Sequence, residues 1–270
     1  MLDGIPKKEY PKLFYRYLKE FFEVLSGKTS LKLYLAYNYP SFYKAELKEG
    51  EALKWKGITL PRKFNFEGKE FEYFYHSYNA TWKNERAVEI PIVYNLYLEY
   101  LSKKLKILEI GNVFSHYFNV KHVIVDKYEK APNVINEDVV DFSSNEKFDF
   151  IFSISTLEHV GWDEKPREPG KIFRAVSNLK DLLAENGLLV ITLPVGYNPV
   201  VDELLKNENK NPVIFDKIFY MKKVSICEWE QCGADSCLNL KYDFKTRSAR
   251  AVAICLYKNN KISISNIEEN

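Results

Sequence analysis

Four short, continuously apolar runs most constrain what this chain can fold into: LKILEI at 105–110, HVIVD at 122–126, FDFIFSI at 148–154 and LLVITLP at 188–194. Each has the length of a strand, and none alternates apolar with polar residues as a half-exposed strand does. Such runs suit strands covered on both faces, as in a parallel sheet. Between the last two lies a helical stretch, Lys171 to Ala184, with Ile172, Val176, Leu179 and Leu183 in register and Gly187 as a stop. Weaker strands are expected at 133–136, 214–223 and 250–257. Alternating strand and helix implies an α/β fold with a doubly wound, mostly parallel, Rossmann-like sheet. Only residues 111–121 separate the first two strands. A parallel crossover normally needs a dozen residues or more, so the first helix is expected to be a stub of one or two turns.

Residues 1–104 read differently, because Tyr and Phe crowd them. Pro11 to Leu25 places Phe14, Leu18, Phe21 and Leu25 at helical spacing, an amphipathic helix whose apolar face packs on the protein, with a homodimer contact or a membrane-surface role as alternatives. LKLYLAYNY reads as a strand. FNFEGKEFEYFYHS reads as a hairpin turning at Glu67-Gly68-Lys69. A helix is expected from about Asn84 to Lys103, with Pro91 near its start or kinking it. The expected division is therefore an aromatic-rich α+β N-terminal extension (1–104) that contributes to an acceptor pocket, a sheet core (105–258) and a polar tail (259–270).

The 39 basic and 37 acidic residues leave a net charge of +2, too balanced to point to a nucleic-acid partner. The N-terminus lacks the apolar segment of a signal peptide. No run approaches the ~20 apolar residues that span a bilayer, so no membrane span and a cytoplasmic location are expected. Cys227, Cys232 and Cys237 are spaced by five, neither C-x-x-C nor a usual zinc spacing. Reduced thiols are the expectation. The single glutamine, Gln231, beside abundant Lys, Glu and Tyr leans towards a thermophile, where a disulfide gains weight, although many asparagines oppose that.

Ligands of open α/β sheets bind beyond the carboxyl ends of the strands. The sequence places Glu109 and Gly111 after the first strand and Asp126 after the second. Asp138 and Asp141 follow the third, and Ser153, Ser155, Glu158 and His159 the fourth. Pro194, Gly196, Tyr197 and Asn198 follow the fifth. A carboxylate ending the second strand can accept both hydroxyls of a ribose, and Gly111 lets backbone approach a ligand where a Cβ would clash. The loop GNVFSH lacks the glycines that a dinucleotide's pyrophosphate wants. A nucleoside without phosphates tolerates such a loop better.

From Ile107 to Asn198 the order of these motifs resembles the class I S-adenosylmethionine-dependent methyltransferases. LEIGN is similar to their acid-x-Gly first motif, VDKYE to the acidic end of strand two, and NEDVVDF to the acidic turn after strand three. FDFIFSISTLEHV is similar to strand four and its following motif, and LLAENGLLVITLP to the helix, glycine turn and fifth strand. The resemblance implies S-adenosyl-L-methionine as cofactor. It implies that Glu109 orders the methionine end, that Gly111 and Asn112 lie against the cofactor and that Asp126 takes the ribose hydroxyls. Asp138 with the Val139 backbone would take the adenine, and Ser153 and Ser155 would line the methionine portion. Arg86, in a region that often closes over the cofactor in this family, would pair with the methionine carboxylate, and Trp82 would help cover the site. The missing second and third glycines depart from the family pattern.

His159 is the candidate general base, histidine being the side chain suited to proton transfer near neutral pH, with Glu158 as a second. Asp149, His76, His116 and His122 are expected to be structural. No acidic metal cluster stands out, so metal-independent, in-line O- or N-methylation of a small-molecule or glycan acceptor is expected. The rival reading is a non-catalytic binding or assembly protein whose cofactor loop has decayed. A nicotinamide-dependent enzyme is disfavoured by the loop.

Overall fold

In this computed structural model, residues 61–76, 78–210, 213–225, 227–244 and 246–260 are described, with isolated positions between 18 and 59. The expected strand at 31–39 lies outside them, as does most of the helix at 11–25, of which positions 18, 21, 22, 24 and 25 are helical.

The extension begins with two-residue strands β1 (Lys54–Trp55) and β2 (Ile58–Thr59). The hairpin follows as β3 (Lys63–Phe66) and β4 (Lys69–Glu72), turning at Glu67 and Gly68 as the sequence indicates. Helix α1 (Arg86–Ser102) then carries Pro91 inside its second turn.

The four apolar runs become β5 (Ile107–Ile110), β6 (Val123–Val125), β8 (Phe148–Ile154) and β9 (Leu183–Pro194). The weaker ones become β7 (Val134–Ile135), β10 (Lys217–Lys223) and β12 (Ala251–Lys258), joined by β11 (Trp229–Cys232). One eight-stranded sheet results, in the order β11-β10-β12-β9-β8-β5-β6-β7. The block from β9 to β7 is parallel, while β12 runs antiparallel to both β9 and β10. The doubly wound, mostly parallel fold class read from the sequence is the one observed.

Both faces of the sheet are covered, which is why its strands read as unbroken apolar runs. Leu108, Ile110, Ile151, Leu189 and Ile191 face helices α2 (Lys171–Asp181) and α3 (Pro199–Lys210). Ile107, Phe150, Phe152, Ile154 and Val252 face α1 and the β3–β4 hairpin. The crossover after β5 is too short for a helix and makes one 3-10 turn, Phe114–His116, the expected stub. Helix α1 fills the space instead. Its Tyr94 and Tyr97 meet Phe114 at 5.7 and 5.5 Å between ring centres, and Phe114 meets Phe152 at 4.7 Å. Aromatics of the extension thus complete a core layer.

One boundary differs from expectation. The α2 helix stops at Asp181, because β9 already pairs with β8 from Leu183, opposite Phe148. The α3 helix and β11 are additional. Val201, Leu204, Leu205 and Glu208 supply the buried stripe of α3, and the Asn198 side chain accepts the Val200 N–H at 2.9 Å.

Candidate functional site

The parallel strands bring the predicted residues to one edge, and the two halves of that edge are built differently. Beyond β5 and β6 the acids are consumed by the loops. Glu109 is fully buried. Its Oε1 accepts the N–H groups of Val113 and Phe114 at 2.9 and 2.8 Å, and its Oε2 lies 2.7 Å from His122 Nε2. It shapes the loop from inside the core rather than facing a ligand, and His122 is its structural partner.

Gly111 adopts φ +84°, and a Cβ there would lie 2.3 Å from Thr156 Oγ1. The glycine is required by packing against the loop after β8. Asn112 donates its backbone N–H to Asp126 Oδ2 at 3.1 Å and its amide to Glu129 Oε1 at 2.8 Å, and accepts the Ser115 hydroxyl. Asp126 Oδ1 also accepts the N–H groups of Tyr128 and Glu129 at 2.8 and 2.7 Å. Its Oδ2 takes a single, longer bond and keeps capacity to accept another.

Asp138 sits in an ionic network. Lys127 Nζ is 2.7 Å and Lys171 Nζ 2.5 Å from its Oδ2, and Lys171 also meets Glu164 at 2.6 Å. Burial raises the Asp138 carboxyl, but the two lysine hydrogen bonds outweigh it and hold it down at about 2. The Val139 side chain is buried in the core with Phe142, and its carbonyl accepts the Asn178 amide at 2.8 Å. The His116 ring lies 4.4 Å from Tyr78 and 3.0 Å from Glu129 Oε1, and His76 accepts the Tyr78 N–H at 3.1 Å. Asp149 accepts the Lys106 N–H at 2.8 Å, a structural role as expected.

Beyond β8 the arrangement is less complete. Ser153 departs from the expected lining role: its buried hydroxyl donates to the Ile110 carbonyl at 3.0 Å, inside the sheet. Ser155, at φ +39°, donates its hydroxyl to Glu89 Oε1 at 2.5 Å. Arg86 is neither a surface residue nor a free guanidinium. It donates to the carbonyls of Ile154 and Ser155 at 2.8 and 3.4 Å and lies 3.5 Å from Glu89 Oε2. Burial disfavours its charge, but Glu89 and Glu85 more than offset that and hold it protonated. Its visible work is to tie the first turn of α1 to the end of β8. Trp82 is buried beside this turn.

Glu158 is buried, and burial pushes its carboxyl up to about 7 against the opposing pull of His159. Its Oε2 has no hydrogen-bond partner among the described residues, nor does Glu89 Oε2. His159 is half exposed. Its Nδ1 is 2.5 Å from Asp163 Oδ2, and its Nε2 is 3.5 Å from Glu158 Oε1. With its proton on Nδ1, His159 donates to Asp163 and leaves Nε2 as an acceptor. Tyr197 donates to the same Asp163 oxygen at 2.6 Å. That is the base-and-orienter geometry of a general base.

Asp163, Glu85, Glu89, Tyr242 and Phe244 were not singled out from the sequence. The spacing of His159 and Asp163 by four carried a signal. The aromatic pair comes from a loop far along the chain. That loop is held by Gly196, at φ +84°, where a Cβ would meet the Leu240 carbonyl at 2.5 Å.

No protein-family model matches the chain, and no curated protein matches it. Among solved structures it is similar to the N-methyltransferase NodS from Bradyrhizobium japonicum WM9 in complex with S-adenosyl-L-homocysteine. That likeness has 13% identity over 66% of this chain and 94% of that one, and a TM-score of 0.39. It is also similar to a SAM-dependent methyltransferase from Archaeoglobus fulgidus, at 15% identity over 62% and 91% with a TM-score of 0.37. A third is the sugar N-methyltransferase KedS8 from Streptoalloteichus sp ATCC 53650, at 15% identity over 55% and 61% with a TM-score of 0.32. At such identities and TM-scores these likenesses assign no residue a role.

Proposed function

We propose that the chain is an S-adenosylmethionine-dependent methyltransferase acting on a small molecule or glycan. The observation that carries this reading is the division of one sheet edge. A glycine-turned loop with an acid at the end of β6 lies on one side, and a histidine oriented by Asp163 beside buried carboxyl groups that each keep an oxygen without a hydrogen bond lies on the other.

The residues fit the cofactor's charge. Two buried acids, Glu85 and Glu89, face one guanidinium, so the edge suits a cationic group. Asp126 Oδ2 and the Asn112 loop would hold the ribose, and the β8 end would face the sulfonium. When bound, S-adenosylmethionine supplies a methyl group already activated on positively charged sulfur. What remains for the protein is to align the acceptor, exclude water and remove a proton. His159 Nε2, oriented through Nδ1 by Asp163, is placed to accept that proton directly or by way of Glu158, 3.5 Å away. No group of three His, Cys, Asp or Glu among the described residues could hold a metal ion.

One observation favours the non-catalytic alternative: the carboxylates of Glu109 and Asp138 are already bonded within the protein. Calorimetric titration separates the readings. Micromolar binding of S-adenosylmethionine and S-adenosylhomocysteine, with no response to NAD, is expected. Absence of heat with both sulfur compounds, on protein shown to be folded, would overturn the enzyme reading.

A further inference from the structure

The edge beyond β8 gathers more buried carboxyl groups than it has basic partners. Glu85, Glu89 and Glu158 are buried, and Arg86 is the guanidinium that faces them among the described residues. Glu85 has a partner in the Ala249 N–H, at 2.7 Å. Glu158 Oε2 has none among the described residues, and Glu89 Oε2 accepts no hydrogen bond and has only the Arg86 guanidinium at 3.5 Å, although their residues are 1% and 0% exposed. Nearly every buried polar atom in a folded protein is bonded, so two neighbouring exceptions call for an explanation. A ligand that brings positive charge supplies one.

Aromatic rings adjoin the acids. Tyr242 lies in the field of Glu85, Glu158 and Glu89, which with burial raises its phenol. Its ring centre is 5.0 Å from those of both Tyr197 and Phe244, and Tyr197 is 4.9 Å from His159. Phe244 is 66% exposed, an unusual state for a phenylalanine that also packs on two rings. Ring faces are negative and attract cations. Carboxylates and ring faces at one edge therefore select for a positive group.

Resting on the methyltransferase reading, we propose that the methyl acceptor is an amine, bound as its ammonium beside the Tyr197–Tyr242–Phe244 rings, and that Glu158 takes its proton. An ammonium nitrogen has no lone pair and cannot accept a methyl group. One N–H bond of the ammonium breaks, its electron pair stays on nitrogen, and the proton goes to Glu158 Oε2. A neutral amine and a neutral carboxylic acid result, and charge is conserved. An ordinary carboxylate is too weak a base for this near neutrality. Glu158, pushed up to about 7 by burial, is better matched. The other groups facing Glu158 are His159 on its own turn, Arg86 and Glu89 from α1, Glu85 before α1, and Tyr197 and Tyr242 from the two loops. Half-exposed His159 links the buried acid to solvent, where the proton can leave.

The test uses the full chain and matched probes at pH 8: benzylamine against benzyl alcohol, cyclohexylamine against cyclohexanol, and glucosamine against glucose. Calorimetry is run on wild type, Glu158→Gln and Phe244→Leu, each shown to be folded by circular dichroism, with S-adenosylmethionine and S-adenosylhomocysteine titrated alongside. At least one amine should bind about tenfold or more tighter than its partner, as a desolvated cation on rings and a carboxylate implies. Glu158→Gln should remove that preference and Phe244→Leu reduce it, with S-adenosylhomocysteine affinity unchanged. The proposal is overturned if wild type binds S-adenosylhomocysteine but prefers no amine, or if the preference survives in Glu158→Gln. Weakening of S-adenosylmethionine alone in Glu158→Gln would assign the unpaired charge to the sulfonium and overturn it too. Failure of both sulfur compounds to bind wild type would instead sink the methyltransferase reading itself.

Discussion

Asp126 and Glu158 stand at the carboxyl edge of the same sheet, and the chain treats them in opposite ways. Asp126 accepts three backbone N–H groups and holds the loops after β5 and β6 in one shape. Glu158 is buried with one carboxylate oxygen unpaired and its proton affinity raised. Their neighbours follow the same division: Glu109 and Asp138 are saturated with partners, while Glu89 keeps an oxygen that accepts no hydrogen bond and faces only Arg86 at 3.5 Å. Saturated acids build a rigid frame, whereas an unpaired buried acid is destabilising unless something else completes it. The comparison separates residues that make the site's shape from residues left over for its chemistry.

The division can be broken most severely at Glu109. Glu109→Ala strands the Val113 and Phe114 N–H groups and His122 in the core, and is expected to cost roughly 3–5 kcal/mol by urea denaturation. A neutral result would mean that the loop does not depend on this carboxylate.

Glu158→Gln should act in the other direction. Folded Glu158 holds its proton up to about pH 7, against an ordinary value of 4.5. Between these values the folded protein binds more protons than the unfolded chain, so stability falls as pH rises and levels off above about 7. The glutamine variant should lack this loss and gain about 3 kcal/mol over wild type at pH 8. At pH 4 the two should be equally stable. Equal melting temperatures at both pH values would contradict the unpaired state.

A smaller effect is expected at the orienting acid. Asp163→Asn should lower the rate of methyl transfer by about 10- to 100-fold, a part of the roughly 100- to 10,000-fold that a positioned general base contributes, and leave S-adenosylhomocysteine binding unchanged. If the rate is unaltered, His159 is not oriented through Asp163. The mildest effect should come from Asp126→Ala. Its remaining acceptor capacity serves the ribose, so S-adenosylhomocysteine affinity should fall about tenfold, the worth of one or two hydrogen bonds.

The sheet was legible because strands buried on both faces leave unbroken apolar runs, and β5, β6, β8 and β9 each had one. The hairpin was legible from Glu67-Gly68 between alternating aromatics. Helix α3 carried a start signal in Asn198-Pro199, but at the end of a strand that pair also reads as ligand-facing residues. Strand β11 is four residues long and has little apolar pattern.

The site was half legible. Position in the sheet placed Asp126, Glu158 and His159 at the carboxyl edge, because chain order and strand ends fix where they fall. What each side chain bonds to was not legible. Arg86 and Glu89 are spaced like an exposed ion pair of a helix, and only the packing of α1 on β8 buries them. Ser153 sits at the right strand end with its hydroxyl turned to the Ile110 carbonyl. Tyr242 and Phe244 reach the site through the contact at Gly196, which no local pattern announces.

The contrast between the two carboxylates is tested most directly by a site-resolved 13C NMR titration of the Glu158 carboxyl in the folded protein, assigned with Glu158→Gln. A midpoint near 7 is predicted, well above the ordinary carboxylate range. A midpoint close to 4.5 would show a carboxylate already paired or solvated, and would contradict the account of this edge as the place where charge is left for a ligand.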